Sequence, residues 1–181
     1  MLFNSDLKKY KSYSNKSTLA VLITQQGLWA IFVYRISNAI YRSKTPNFIK
    51  KILLVFSVFF QKIIEILTGI SLPYSASIGH SFYIGHFGGI IINSQSVIGH
   101  NCNVSQGVTI GVSGRNSSRG VPVIGNNVYI GANAVVAGKI AIGNNCVIGA
   151  NSLVVNSFDN DVTILGVPAK IFNNNTSKGY I

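Results

Sequence analysis

From Ile78 to Val154 an aliphatic residue, usually followed by glycine, returns every sixth position, and this period limits what the chain can fold into more than any other feature. The openers fall in three in-phase blocks: Ile78 and Ile84; Ile92, Ile98, Val104 and Ile110; and Ile124, Ile130, Val136, Ile142, Ile148 and Val154. Six matches neither the helical period of about 3.6 nor the strand period of about 2. It matches a short strand plus a tight turn, three times per coil, and so predicts a left-handed parallel β-helix of triangular section whose openers stack in the core. Left-handed crossovers break the usual right-handed rule, so only a strong repeat justifies this fold. The openers supply that strength.

Turn chemistry agrees. Asn126, Asn127, Asn133, Asn144, Asn145 and Asn151 lie at turn positions, and Asn, like Gly, tolerates left-handed backbone. Fifth positions face inward where space is small, and they hold Ser96, Val108, Val128, Ala134 and Ser152. Cys102 and Cys146 occupy the same slot, so both read as buried small fillers in a reducing compartment, with no disulfide and no nucleophile between them.

Two breaks interrupt the period. Two extra residues lie between Ile84 and Ile92, within His86-Phe87-Gly88-Gly89, and Gly111 to Val123 must leave the prism as a loop. Regular coils are scaffold, and interruptions are where function is mounted.

The first seventy residues have a different chemistry. The formal net charge is +11, from 15 Lys+Arg and 4 Asp+Glu. Ten of the basic residues precede position 71 against only Asp6 and Glu65, an excess of +8, which leaves +3 for the remainder. The basic character therefore sits apart from the repeat, which argues against a nucleic-acid partner. Apolar spacing predicts a helix over Leu28 to Tyr41, and a second with Thr45 as N-cap, Pro46 at the first position and Gly69 as the stop. The second is apolar most of the way round and needs partners on several sides, its own chain or other subunits first, a membrane surface next. Thr18 to Ile23 is too short for a signal peptide, and the uncharged stretch from Lys16 to Arg35 is interrupted by Gln25, Gln26 and Gly27. A cytoplasmic protein is expected, with basic helices suited to the inner face of an anionic membrane. The domain reading is a helical region at 1–70, a β-helix at 71–172 with its extruded loop at 111–123, and a tail at 173–181.

All three histidines, His80, His86 and His100, fall at the third position of a unit. His80 and His100 read as solvated turn residues. His86 stands at the two-residue interruption, where Gly88-Gly89 lets backbone approach closely, and an imidazole titrating near neutrality on a rigid edge suits a general base. The loop residues Arg115 and Arg119 suit an anionic or sugar ligand. Ile130-Gly-Ala-Asn133 recurs as Ile148-Gly-Ala-Asn151 one coil later, giving a ladder of small residues open to an extended ligand such as a pantetheine arm. Gly166-Val-Pro-Ala-Lys170 adds a cation near the coil end.

Ile84-Gly-His-Phe-Gly-Gly89, Asn103-Val-Ser-Gln-Gly-Val-Thr-Ile-Gly111, the coil repeats and Gly166-Val-Pro-Ala-Lys170 resemble the hexapeptide acyltransferases, and among them the serine O-acetyltransferase-like branch associated with surface-polysaccharide biosynthesis. The resemblance covers about residues 70–172. It implies a homotrimer with active sites between prisms, acetyl-CoA as donor, no metal, and direct attack by an acceptor hydroxyl whose proton passes to His86. It also matches Ala132 and Ala150 to positions whose backbone contacts the CoA arm and Gly111 to the start of the glycine segment near the thioester; beside these, Lys139 and Lys170 are candidates for binding the donor, and Gln106, Arg115 and Arg119 for binding the acceptor.

The chain departs from serine acetyltransferases in several places. Gly85 stands where the family carries an Asp before the histidine, Ser118-Arg119-Gly120-Val121-Pro122 replaces an Asp-Arg-His-Pro segment, and Ile70-Ser71-Leu72 replaces acidic and histidine residues. These losses point to a sugar hydroxyl as acceptor, with free serine as the alternative. A zinc enzyme of the carbonic anhydrase type and a non-catalytic membrane-associated scaffold are the alternatives from other classes.

Overall fold

A computed structural model describes residues 2–181. Four helices come first: α1 (Leu2–Ser12), α2 (Thr18–Thr24), α3 (Gln26–Arg42) and α4 (Asn47–Thr68). The prism strands follow: β1 (Ile70–Ser71), β2 (Ser77–Ile78), β3 (Tyr83–Ile84), β4 (Ile90–Ile92), β5 (Val97–Ile98), β6 (Asn103–Val104), β7 (Thr109–Gly111), β8 (Val123–Ile124), β9 (Tyr129–Ile130), β10 (Val135–Ala137), β11 (Ala141–Ile142), β12 (Val147–Ile148), β13 (Leu153–Val154), β14 (Thr163–Gly166) and β15 (Ala169–Asn173). They form three sheets, ordered β1-β4-β7-β10-β13, β11-β8-β5-β2 and β15-β14-β12-β9-β6-β3. Every pairing is parallel except β14 with β15, which turns back antiparallel. This is the left-handed β-helix that the period predicts, with an N-terminal helical region.

The openers from Ile78 to Val154 are buried, as are Phe82 and Cys102 at fifth positions. Turns are held by left-handed residues at fourth positions, among them Asn101, Asn127, Asn133, Asn145 and Asn151. Their side chains also bond up the corner, from Asn101 to Asn127 (2.9 Å), Asn127 to Asn145 (2.9 Å) and Asn145 to Asp161 (2.9 Å). Asn126 and Asn144 lie one place earlier, where each side-chain oxygen accepts a backbone N–H from the neighbouring coil, His100 N and Asn126 N respectively.

The helical region is fastened to the first coil by polar side chains. Asp6 and Arg35 form a fully buried ion pair (2.8 Å). Asp6 also accepts from Phe82 N, while Arg35 donates to the carbonyls of Ile78 (2.7 Å) and Gly79 (2.6 Å). Tyr10 hydroxyl donates to Ile84 O and accepts from Ile84 N, and Tyr34 hydroxyl treats Ala76 O and Ile78 N the same way. Burial pushes both phenols above their ordinary range, so they remain hydroxyls. At the other end of the chain, Tyr180 stacks on Tyr129 (4.7 Å) and its carbonyl accepts from Asn103 Nδ2 (3.0 Å).

Two expectations are corrected here, and the interruption at Gln25-Gln26-Gly27 is found where it is expected. Pro46, not Thr45, is the N-cap of α4, and Thr45 hydroxyl is taken instead by Ser43 Oγ (2.8 Å). Gly111 and Val123 stay in the ladder, so the excursion comprises only 112–122. The stretch from Lys16 to Arg35 is two helices bent by 88° at Gln25. Among the described residues no single helix is long and apolar enough to cross a membrane.

Candidate functional site

The register of one sheet builds a column of site residues. Ile84 pairs with Val104, Val104 with Ile130, Ile130 with Ile148, and Ile148 with Ile164. Bonds from Gly85 N to Val104 O, Ser105 N to Ile130 O, Gly131 N to Ile148 O and Gly149 N to Ile164 O carry that register into the following corner. Two residues past each of these openers, His86, Gln106, Ala132, Ala150 and Gly166 therefore stack along one edge, about 4.8 Å per coil. His86 occupies the end nearest the helices. Gln106 separates it from the two alanines, which are small enough to leave the backbone of the corner open.

The interruption that carries His86 is rigidly backed. Gly88 and Gly89 adopt left-handed φ values of 99° and 66°. Gly88 N donates to Thr68 O (2.9 Å) and Ile90 N to Gly69 O (3.0 Å), while Gly88 O accepts from Gly107 N (2.9 Å). The extra residues are thus clamped between the last turn of α4 and the next coil. At Gly107, φ 71°, a Cβ would collide with the side chain of Asn133, so only glycine lets the coils close here. The His86 side chain is exposed and makes no hydrogen bond among the described residues.

The other site residues lie on the next corner. Gly111 pairs with Ala137 at the ends of β7 and β10, and the loop departs there. Ser113 and Gly120 exchange backbone hydrogen bonds (3.1 and 3.0 Å) at its neck, and Asn116–Ser118 form a single 3-10 turn at its tip. Arg115 and Arg119 are exposed on this loop. Gly120 rests against the stem of Lys139, where a Cβ would come within 2.7 Å of Lys139 Cβ. Lys170, exposed in β15 opposite Leu165, stands just past the Gly166 end of the His86 column.

In a single chain, then, His86, Gln106, Ala132 and Ala150 line one edge, and Gly111, Arg115, Arg119 and Lys139 line the next. Between them runs the sheet containing β4, β7, β10 and β13, whose outward side chains are Ile91, Thr109, Val135 and Leu153. The two groups flank one face without meeting across it.

His80 and His100 belong to the third corner. Their rings stack at 4.1 Å, and His100 Nδ1 accepts from His80 N (3.2 Å), so they serve the same column as Asn126 and Asn144. Among the described residues no group of three His, Cys, Asp or Glu side chains is placed to hold a metal ion. Cys102 and Cys146 are both buried and free. Burial pushes the Cys102 thiol up to about 11 and raises that of Cys146, so neither is a ready thiolate. The support from Thr68 and Gly69 has no sequence signal beyond a helix stop placed directly before the first coil.

Residues 122–156 match the bacterial transferase hexapeptide (six repeats) family. The serine acetyltransferase of Bacillus subtilis is 34% identical over 163 residues, covering 90% of this chain and 71% of that protein. The crystal structure of the Neisseria gonorrhoeae serine acetyltransferase in complex with serine is 31% identical, with a TM-score of 0.79 over 94% of this chain and 67% of that one. The Brucella abortus serine acetyltransferase in complex with coenzyme A shares the fold, at 24% identity and a TM-score of 0.84 over 96% and 67% of the two chains. The chain spans 61–71% of the length of the first curated relatives it matches.

Proposed function

Since the chain belongs to the serine acetyltransferase family, we propose that it transfers an acetyl group from acetyl-CoA to the hydroxyl of a small acceptor, with His86 as the base. The observation that carries this reading is the column in which His86 and Gln106 continue the ladder of Ala132 and Ala150. Ala132 and Ala150 leave room for the extended arm of the donor along that edge, and Lys139 and Lys170 are the cations available to its phosphates. Gly111 lies where the thioester end is expected. A homotrimer with intersubunit sites fits the geometry, because a neighbouring prism laid on the shared face would bring the loop edge of one copy to the His86 edge of another.

In the proposed step the neutral imidazole takes the proton of the acceptor hydroxyl as its oxygen attacks the thioester carbonyl. A backbone N–H meets the developing oxyanion. The tetrahedral intermediate then collapses, the carbon–sulfur bond breaks, and the imidazolium returns its proton to the departing thiolate. Neither cysteine nor a covalent enzyme intermediate enters.

Free serine is the acceptor that the relatives support. They give no support to polysaccharide biosynthesis, so the sugar acceptor expected from Gly85 and from the missing second histidine becomes the second reading. Gln106, Arg115 and Arg119 are the residues available to orient either acceptor.

The test is release of CoA thiol from acetyl-CoA with serine and, separately, with a panel of sugars. Serine should give the largest rate. Replacement of His86 by Ala should lower turnover by roughly 10²–10⁴-fold while leaving CoA binding unchanged, as loss of a positioned base does. Wild-type turnover by that variant would sink the mechanism, and release with sugars alone would sink serine.

A further inference from the structure

The helical region exposes an apolar surface that the catalytic reading does not use. On α4, Phe48, Ile49, Phe56, Phe59, Ile66 and Leu67 are all exposed, Phe48 at 77% and Ile66 at 83%. At about 100° per residue they fall, with Ile52, Leu53, Val55, Phe60 and Ile63, inside an arc of roughly 160°. The opposite side of α4, through Ser57 and Thr68, is buried. On α2, Leu19 and Ile23 are exposed as well. An apolar cleft of about 520 Å³ opens between the helices, lined by Phe3, Leu22, Trp29, Phe32 and Ile64.

Positive charge surrounds this surface. Lys16 precedes α2, Lys44 precedes α4, and Lys51 and Lys62 border the apolar arc, all exposed. The acidic groups of the region are both engaged, Asp6 with Arg35 in the interior and Glu65 with Lys62. Contact between two copies of this face would set regions of +8 against each other, whereas an anionic surface answers both the charge and the exposed aromatic rings.

We propose that α2 and α4 dock on an anionic lipid bilayer, with the apolar arc of α4 lying in the headgroup boundary and the lysines on the phosphates. The 22-residue α4 lies in the plane of the surface, because Lys50, Lys51, Lys62 and Glu65 along its length prevent it from spanning. The prism then stands on the membrane by its helical end, with the His86 bulge close to the lipid because Thr68 and Gly69 hold it there.

Co-sedimentation of the full chain with vesicles decides the matter. Binding is expected to phosphatidylcholine vesicles containing phosphatidylglycerol, and at least tenfold less to phosphatidylcholine alone. K44E combined with K51E should lower the anionic partition coefficient by roughly tenfold or more, at about fivefold per lysine. F56Q combined with F59Q should lower it similarly, and thiol release in solution should be unchanged in both variants. Absence of wild-type binding, or binding indifferent to the lysines and to added salt, overturns the proposal. So does a drop in sedimenting mass of F56Q/F59Q without vesicles, which would make the face a contact between copies.

Discussion

Lys9 shows how one side chain reports on the junction of the two regions. It is buried on α1, its Nζ donates to Asn101 Oδ1 (2.7 Å), and loss of hydration lowers its pKa from 10.5 to about 8. Its charge is therefore less stable in the fold than in the open chain. Between about pH 8 and 10.5 the unfolded chain binds the extra proton, so the Lys9 contribution makes stability rise with pH there. Cys102 works in the opposite sense above about 9, because its buried thiol keeps a proton that the unfolded chain loses. Denaturant unfolding at pH 8 and 9 should therefore show a gain on the order of 1 kcal/mol in the wild type, absent from Lys9→Met. An equal gain in the variant would assign the effect elsewhere. Nothing in the sequence marks Lys9 as buried, since its partner is 92 positions away. The interruption at His86 is legible for the opposite reason: the break in a strict period is a local signal.

At the level of elements, what could be read from sequence follows the same divide. The prism strands are legible because each opener repeats its neighbour's environment. The stacking of His86 on Gln106 was harder to see, because the offsets along that column are 20, 26, 18 and 16 residues once the breaks are crossed. Helix α1 is not legible, because its buried side chains are Asp6, Lys9 and Tyr10, a polar set that looks like a solvated face. The large apolar face of α4, expected to find partners, stays exposed in the single chain. The seating of α3 on the prism depends on Gly27, where a Cβ would come within 2.5 Å of Tyr10 Oη and 2.7 Å of Ile84 O. Gly27→Ala should push α3 away and cost about 1–3 kcal/mol, read as a lower denaturant midpoint. An unchanged midpoint would show that the junction yields without loss.

For the whole molecule, the fold is a stack in which each coil touches only its neighbours, so its energetics resemble a sum of rungs and interfaces. Such a stack has two ends, and in this protein side chains cover the first coil at one, while a reversed strand covers one of the three sheets at the other. At one end, Asp6, Tyr10, Tyr34, Arg35 and Asn38 occupy the N–H and C=O groups that the first coil would otherwise offer to another strand. At the other, β15 runs back against β14. Removal of residues 2–68 should leave the first coil unpaired and the truncated chain prone to form concentration-dependent polymers, seen by light scattering. A truncated chain that stays dispersed would mean that the coil closes itself. With the first coil blocked in this way, prisms cannot grow into a fibre by adding coil upon coil. Copies that meet through their prisms are left with side-by-side contact, the arrangement that would bring the loop edge of one chain to the His86 edge of another in the proposed homotrimer. The groups that stop polymerisation would thereby also steer assembly towards the geometry that the proposed chemistry needs.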